Sequence, residues 1–218
     1  MIYSELVALS KEAPPDRGAR RRARTRSRLT SAAWDLIAEK GVGGLRIAEI
    51  TERADVGLGS FYNHFDSKEE IVEAVVTETI SVLAETIVVN TADLDDPAEG
   101  VSVASRMFIR LAETDPQLAR LLVNLDRADV LFETAVHPFA NAALQLGIQA
   151  GRFEVRDVDI ELTSIVGSTL AIVSGILDGR LPADSDAVQA ETLLRGLGMD
   201  PAEAHDISRR PLPAIPTT

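Results

Sequence analysis

The chain has 218 residues and is 45% hydrophobic, which suits one or two helical domains with a real core. It has no cysteine, so disulfides and thiolate zinc sites are excluded; that fits a reducing cytoplasm, and the N-terminus shows no long apolar run of the kind a signal peptide needs. The net charge of −12 argues against a nucleic-acid binder until its distribution is read: residues 1–68 hold 12 Lys+Arg against 9 Asp+Glu, and residues 69–218 hold 10 against 25. An acidic body behind a basic edge orients a molecule toward DNA.

Met1 to Asp16 contains Ala-Pro-Pro and no sustained period, and reads as a disordered tail. RGARRRARTRSR, residues 17–28, carries seven arginines and no acid. It can run into the first helix, and it reads as part of a basic arm, residues 1–24, that tracks phosphate and reaches the minor groove, or as a merely solvated basic tail. Leu29, Ala32, Ala33, Leu36 and Ile37 form an amphipathic stripe, and that helix is expected to stop at Lys40-Gly41. Trp34, the single tryptophan, is expected to pack against the fourth helix.

Ile47, Ile50, Thr51 and Ala54 recur at helical spacing, Asp55-Val56-Gly57 supplies turn chemistry, and Leu58 to His64 reads as a second short helix. Such a pair is a helix-turn-helix, whose second helix fits the major groove. The domain is placed at residues 25–70. Phe61 and Phe65 read as core. Ser60, Tyr62, His64 and Lys68 carry donors for backbone phosphates, which set register but not sequence. For His64 a hydrogen bond within the head is the competing role. Leu58 and Asn63 can meet base edges, Asn reading adenine and Leu touching a thymine methyl. Gly57 and Gly59 allow close backbone approach. Arg28 and Arg46 complete the DNA-binding set.

Ser67 and Glu70 form a capping box that starts a fourth helix through Ile71, Val75, Ile80, Leu83 and Ile87. Lys68 then lies in its first turn, where the helix dipole also favours an anion. After the loop TADLDDPAEG the rest is expected to be helical: Pro97 to Thr114, Pro116 to about Asp126, Asp129 to Gly151, Val158 to Gly179 and Asp184 to Gly198. This defines an all-α protein with a three-helix head and a body over residues 71–206. Beyond a short turn near Ala202 to His205, the proline-containing end, residues 207–218, is expected to be disordered. Thr163 to Leu177 is nearly all apolar or small, reads as too short to span a membrane, and is expected to be buried on more than one side. Gly167, Ala171 and Gly175 make a ridge for close packing. With Leu193, Leu194 and Leu197 they are expected to form a homodimer interface.

The run GLGSFYNHFDSKEE resembles the DNA-binding segment of TetR-family transcriptional regulators. Gly59, Tyr62, His64, Phe65 and Lys68 stand at the family's Gly-x-x-Tyr-x-His-Phe and Lys positions, and Ile50 and Val56 at its buried positions beside the turn. The chain departs from the pattern at Arg46, Thr51, Asp55 and Gly57. The resemblance implies a repressor whose partners are a palindromic double-stranded operator, a second copy of the chain and a small-molecule effector held in the body. Expected effector contacts are Met107, Phe108 and Leu111 on one helix, and Phe132, Val136, His137, Phe139 and Asn141 on another. His137-Pro138 is expected to kink that helix and open a pocket beside it, or simply to bend an ordinary core. No catalytic constellation, metal-ligand cluster or cofactor motif is found: the three histidines are scattered. The competing reading is an all-helical interaction protein with a nonspecific nucleic-acid-binding arm.

Overall fold

A computed structural model describes residues 17–124 and 135–213 of the chain. The N-terminal tail, Phe132 and the last five positions lie outside the described residues. The helices there run in the order α1 (Arg17–Gly44), α2 (Ile47–Arg53), α3 (Leu58–Tyr62), α4 (Lys68–Thr91), α5 (Pro97–Thr114), α6 (Pro116–Val123), α7 (His137–Gln149), α8 (Val158–Leu177), α9 (Ser185–Gly196) and α10 (Pro201–Ser208). The chain divides into two compact units, Met1–Val75 and Val76–Thr218.

In the first unit, α1 to α3 and the start of α4 share a core. Leu29, Ala33, Ile50, Phe61 and Ile71 are fully buried, and Phe65 is nearly so. The basic segment expected as an arm is corrected: it is helical from Arg17, because arginine is a good helix former and the stripe starting at Leu29 gives the helix something to continue from. The break expected at Gly41 is present, with φ 72 and ψ 168, and one further turn runs to Gly44. The second helix of the pair is shorter than expected, ending at Tyr62. Two more hydrogen bonds, His64 N–H to Phe61 O at 2.8 Å and Phe65 N–H to Phe61 O at 2.9 Å, carry the turn onward.

The capping box forms. The Glu70 N–H donates to Ser67 Oγ at 3.1 Å, while the Glu70 carboxylate reaches past Ser67 to accept from the Asp66 N–H at 2.5 Å. Two otherwise orphan donors at the start of α4 are satisfied in this way.

In the second unit α5 is central and packs against α6, α7, α8, α9 and α10. Its core joins Ala98 and Val101 of α5 to Leu144, Phe153, Leu162, Leu194, Met199 and Ile207. Three helices begin with Asp-Pro: the aspartate carboxylate accepts an N–H of the first turn, and proline sits where its missing donor costs nothing. Arg152 grips the first of these caps, bonding Asp96 with both Nε and Nη2 at 3.0 and 2.9 Å, and reaches Glu203 of α10 at 2.7 Å.

Three further expectations are corrected here. Pro138 stands in the first turn of α7, directly after π-helical residues 135 and 136, so the regular helix starts at the His137-Pro138 pair and not at Asp129, and residues 125–134 lie outside the described residues. The chain end is packed well past residue 206: Ile207 and Ser208 are buried, Arg106 Nη1 donates to the Arg210 carbonyl at 2.6 Å, and Arg210 pairs with Glu99. The prolines that suggested disorder lie mostly beyond that anchor. Finally, α8 spans 20 residues, long and apolar enough to cross a membrane by length and composition. It is much less enclosed than expected, with only Leu162, Val173 and Gly175 fully buried.

Candidate DNA-binding interface

The recognition helix α3 has two unlike sides. Phe61 and Phe65 are pinned inside, and the guanidinium of Arg26 lies over the Phe65 ring at 4.5 Å. On the outside Leu58 and Tyr62, one turn apart, are each 53% exposed, an unusual place for large apolar and aromatic side chains on so small a domain. Asn63 is exposed beside them, and Ser60 and His64 are half-buried. Gly57 and Gly59 are exposed, and a Cβ built on either would meet nothing within 4 Å. Their openness leaves the approach to the helix N-terminus clear.

The remaining expected contacts divide. Arg46 stands at the N-cap of α2 in extended conformation and is exposed, with no capping bond from its side chain. Lys68 is half-buried in the first turn of α4. Arg28 has a partner within the head: its Nη2 donates to the Asp55 carbonyl at 3.0 Å and to the Asp55 carboxylate at 3.1 Å, so it braces the turn between α2 and α3. Sequence spacing could not show this, because the partner lies 27 positions away.

A group of residues that the sequence reading passed over faces α3 from α1. Gly18, Arg21, Arg22 and Thr25 lie one face apart at helical spacing and, with Ser60, Asn63 and His64, line a concavity of about 380 Å³. Their i, i+3, i+4, i+7 order was visible in the sequence, but a segment taken for an arm has no face. Burial holds the His64 imidazole below the ordinary histidine value, and the charges of Arg22 and Arg26 act in the same direction.

In the body, Met107 and Phe108 of α5 are half-buried and Leu111 is buried; Val136 is buried in the π turn, and His137, Phe139 and Asn141 at the start of α7 are half-buried. Helices α5 and α7 are packed neighbours, so the two expected groups sit on adjoining elements. Ser102 and Ser105 of α5 were not singled out. Both are buried, and neither hydroxyl has a hydrogen-bond partner among the described residues.

The expected interface set separates by burial. Leu194 and Leu197 are fully buried and Leu193 is 6% exposed, all within the protomer's own core. Gly175 is buried against Leu181, whose Cδ1 would lie 2.6 Å from an added Cβ. These four are corrected to core positions. Gly167 and Ala171 are exposed and fall on an α8 stripe with Ile160 and Ser164. Val188, Thr192 and Arg195 make a similar exposed stripe on α9, which is tied to α8 by Gln189 Nε2 donating to Ser168 Oγ at 2.9 Å.

A helix-turn-helix head with an open recognition face, followed by a separate helical body, is the architecture of a DNA-binding regulator. Comparison with known proteins places the chain more narrowly. Residues 29–75 match the bacterial regulatory proteins of the tetR family, and residues 96–210 match the tetracyclin repressor-like C-terminal domain. The chain belongs to the TetR family of transcriptional regulators. Among its relatives, an HTH-type transcriptional regulator of Mycobacterium tuberculosis is 27% identical over 72% of this chain and 86% of its own length. The HTH-type transcriptional repressor KstR2 of Rhodococcus jostii is 27% identical over 63% of this chain and 71% of its own. The crystal structure of RolR in complex with its ligand resorcinol matches with a TM-score of 0.80 at 33% identity, covering 91% of this chain and 100% of that one.

Proposed function

We propose that the protein is a repressor that holds a palindrome-like operator as a homodimer and releases it when a small molecule occupies the body. The observation that carries the DNA-binding part is the pairing of exposed Leu58, Tyr62 and Asn63 with buried Phe61 and Phe65 on one short helix. Such a helix is held rigidly from behind and presents donors and apolar contact in front. Leu58 and Asn63 read base edges, while Tyr62, Ser60, Arg46 and Lys68 hold phosphates and fix the register.

One recognition helix reads few base pairs, so a two-fold dimer with half-sites about one helical turn apart is the economical solution. The exposed small-residue stripe of α8, beside that of α9, supports this reading and supplies a flat surface for close helix packing.

Support for an effector comes from RolR, the 33% identical structure that holds resorcinol. It comes also from the buried hydroxyls of Ser102 and Ser105, which have no partner among the described residues, since such groups cost free energy until a partner reaches them. A small hydroxylated molecule is the class to screen first. Release then follows from linkage: the effector prefers a state that binds operator less well, and operator must weaken effector binding by the same factor.

Footprinting of genomic fragments by the purified protein tests the proposal. Protection of paired half-sites supports it. Uniform, salt-sensitive coating with no protected site favours the nonspecific arm instead.

A further inference from the structure

We propose that the first turns of α1 and the recognition helix together form a socket for one backbone phosphate of the operator. The inference rests on the DNA-binding reading above. It assigns the N-terminal basic segment a role as a helix and not as a groove-tracking arm.

The seven arginines of residues 17–28 are not equivalent. Arg28 is bound to Asp55 and Arg26 lies over Phe65. Arg21 and Arg22 are exposed, form no ion pair with any described residue, and point their shared face at α3 across the concavity. Opposite them stand the Ser60 hydroxyl, the Asn63 amide and the His64 imidazole. The lining therefore offers two guanidinium groups, neutral donors and no carboxylate. Thr25 Oγ1 donates to the Arg21 carbonyl at 3.1 Å, which turns the hydroxyl back onto its own helix. Gly18 contributes no side chain to fill the far end.

Two guanidinium groups side by side on one wall, with neutral donors opposite, repel one another until an anion enters. A phosphodiester presents two non-bridging oxygens, which suits two planar forks. Burial disfavours protonation of His64, and the positive charges of Arg22 and Arg26 add to it. A phosphate would offset the contribution of those charges. The volume, about 380 Å³, admits a phosphate with part of its flanking sugars. Because Ser60 lies on the recognition helix and Asn63 caps its end, a phosphate held here would fix how deep and at what angle that helix enters the groove.

The test uses the full chain and an operator duplex recovered by selection, with binding measured over a salt series. Arg21→Ala/Arg22→Ala is compared with Arg20→Ala/Arg24→Ala, which removes the same charge from exposed positions outside the concavity. The first pair is expected to weaken binding about tenfold or more and to flatten the plot of log K against log[salt] by about 1.8, one phosphate's worth for each head of the dimer; the second is expected to change the slope by clearly less. A scan with single methylphosphonate substitutions should find one position in each half-site whose neutralisation weakens the wild type but not Arg21→Ala/Arg22→Ala. Equal losses from both pairs, or no such position, overturns the socket while leaving sequence-specific binding intact. A wild-type chain that protects no duplex overturns both readings. Inorganic phosphate titrated into the DNA-free protein checks the other source of the same chemistry. Sub-millimolar saturation of the His64 ring resonances would assign the socket to a free anion and overturn the operator assignment.

Discussion

Arg28 closes the turn of the helix-turn-helix by holding Asp55 twice, at the carbonyl and at the carboxylate. Asp55 is the one non-glycine residue with positive φ among the described residues, at 50°. That conformation usually selects glycine, and aspartate adopts it more easily than most residues. Asp55→Ala loses the carboxylate contact and keeps the strain, so it should destabilise the head by about 1 kcal/mol. Asp55→Gly exchanges the exposed ion pair for relief of strain and should fall within about 0.5 kcal/mol of wild type. Chemical denaturation of the two variants checks the order.

Asp186 is the most enclosed charge among the described residues of the body: Arg106 Nε lies 3.0 Å and Arg110 Nε 2.8 Å from its Oδ2. Burial alone would raise this carboxyl, but the hydrogen bonds from Arg110 and Arg106 prevail and hold it below the ordinary carboxylate value. Its folded-state value is therefore depressed. The stability it contributes is fully present above the unfolded value, near 4, and is lost as pH falls through the lower folded value. Asp186→Ala leaves two guanidinium groups facing a vacancy and should cost about 3 kcal/mol, the lower end for breaking a buried pair because Arg110 keeps one side in water. It should also flatten the acid limb of the stability curve. Melting of wild type and variant from pH 7 to pH 3 reads both effects.

Gly147 is held to glycine by packing, since a Cβ there would lie 2.0 Å from the Phe153 ring. Gly147→Ala should therefore cost about 1–3 kcal/mol as an overpacked site. Gly59→Ala meets nothing within 4 Å and should melt like wild type. If the recognition helix approaches DNA closely at that point, Gly59→Ala will lose operator affinity without losing stability. Differential scanning calorimetry and a binding isotherm on the same preparations separate the two glycines.

The dimer face proposed for α8 and α9 predicts a contrast between neighbouring positions. Gly167→Glu, on the exposed stripe, should leave a folded monomer and abolish tight operator binding. Leu194→Ala, in the core, should destabilise the protomer by about 2–5 kcal/mol. Analytical ultracentrifugation with circular dichroism distinguishes them; a dimeric Gly167→Glu protein would move the interface elsewhere.

The division of roles on α3 can be read from operator variants. Tyr62→Phe should weaken binding to all sequences alike, whereas Asn63→Ala should change which base is preferred at one half-site position. Equal and uniform losses from both would contradict the assignment.

The recognition helix was legible because its sequence obeys several constraints at once. Phe61 and Phe65 must anchor it, Gly57 must start it, and Ser67 with Glu70 must start the helix that follows. The interface was not, for a physical reason: an apolar stripe such as Leu193, Leu194 and Leu197 looks the same whether it faces its own chain or another. Only burial by Ile207, Met199 and Phe153 in one protomer decides the matter. The same limit explains the chain end, where Ala204 and Ile207 show helical spacing but three further prolines suggested disorder. Pairings across long separations, Arg28 with Asp55 and Arg106 with Asp186, leave no trace in local pattern. The socket lies between these cases. Its α1 residues have a readable period, which becomes a face only once Arg17 onward is known to be helical.

The measurement that bears most directly on the account is selection of bound duplexes from a random DNA pool by the purified chain at stated salt. The account predicts a two-fold symmetric motif with half-sites about one helical turn apart, and loss of preference at one position in each half-site with Asn63→Ala. Recovery of duplexes without a common motif, bound only in proportion to low salt, would contradict it.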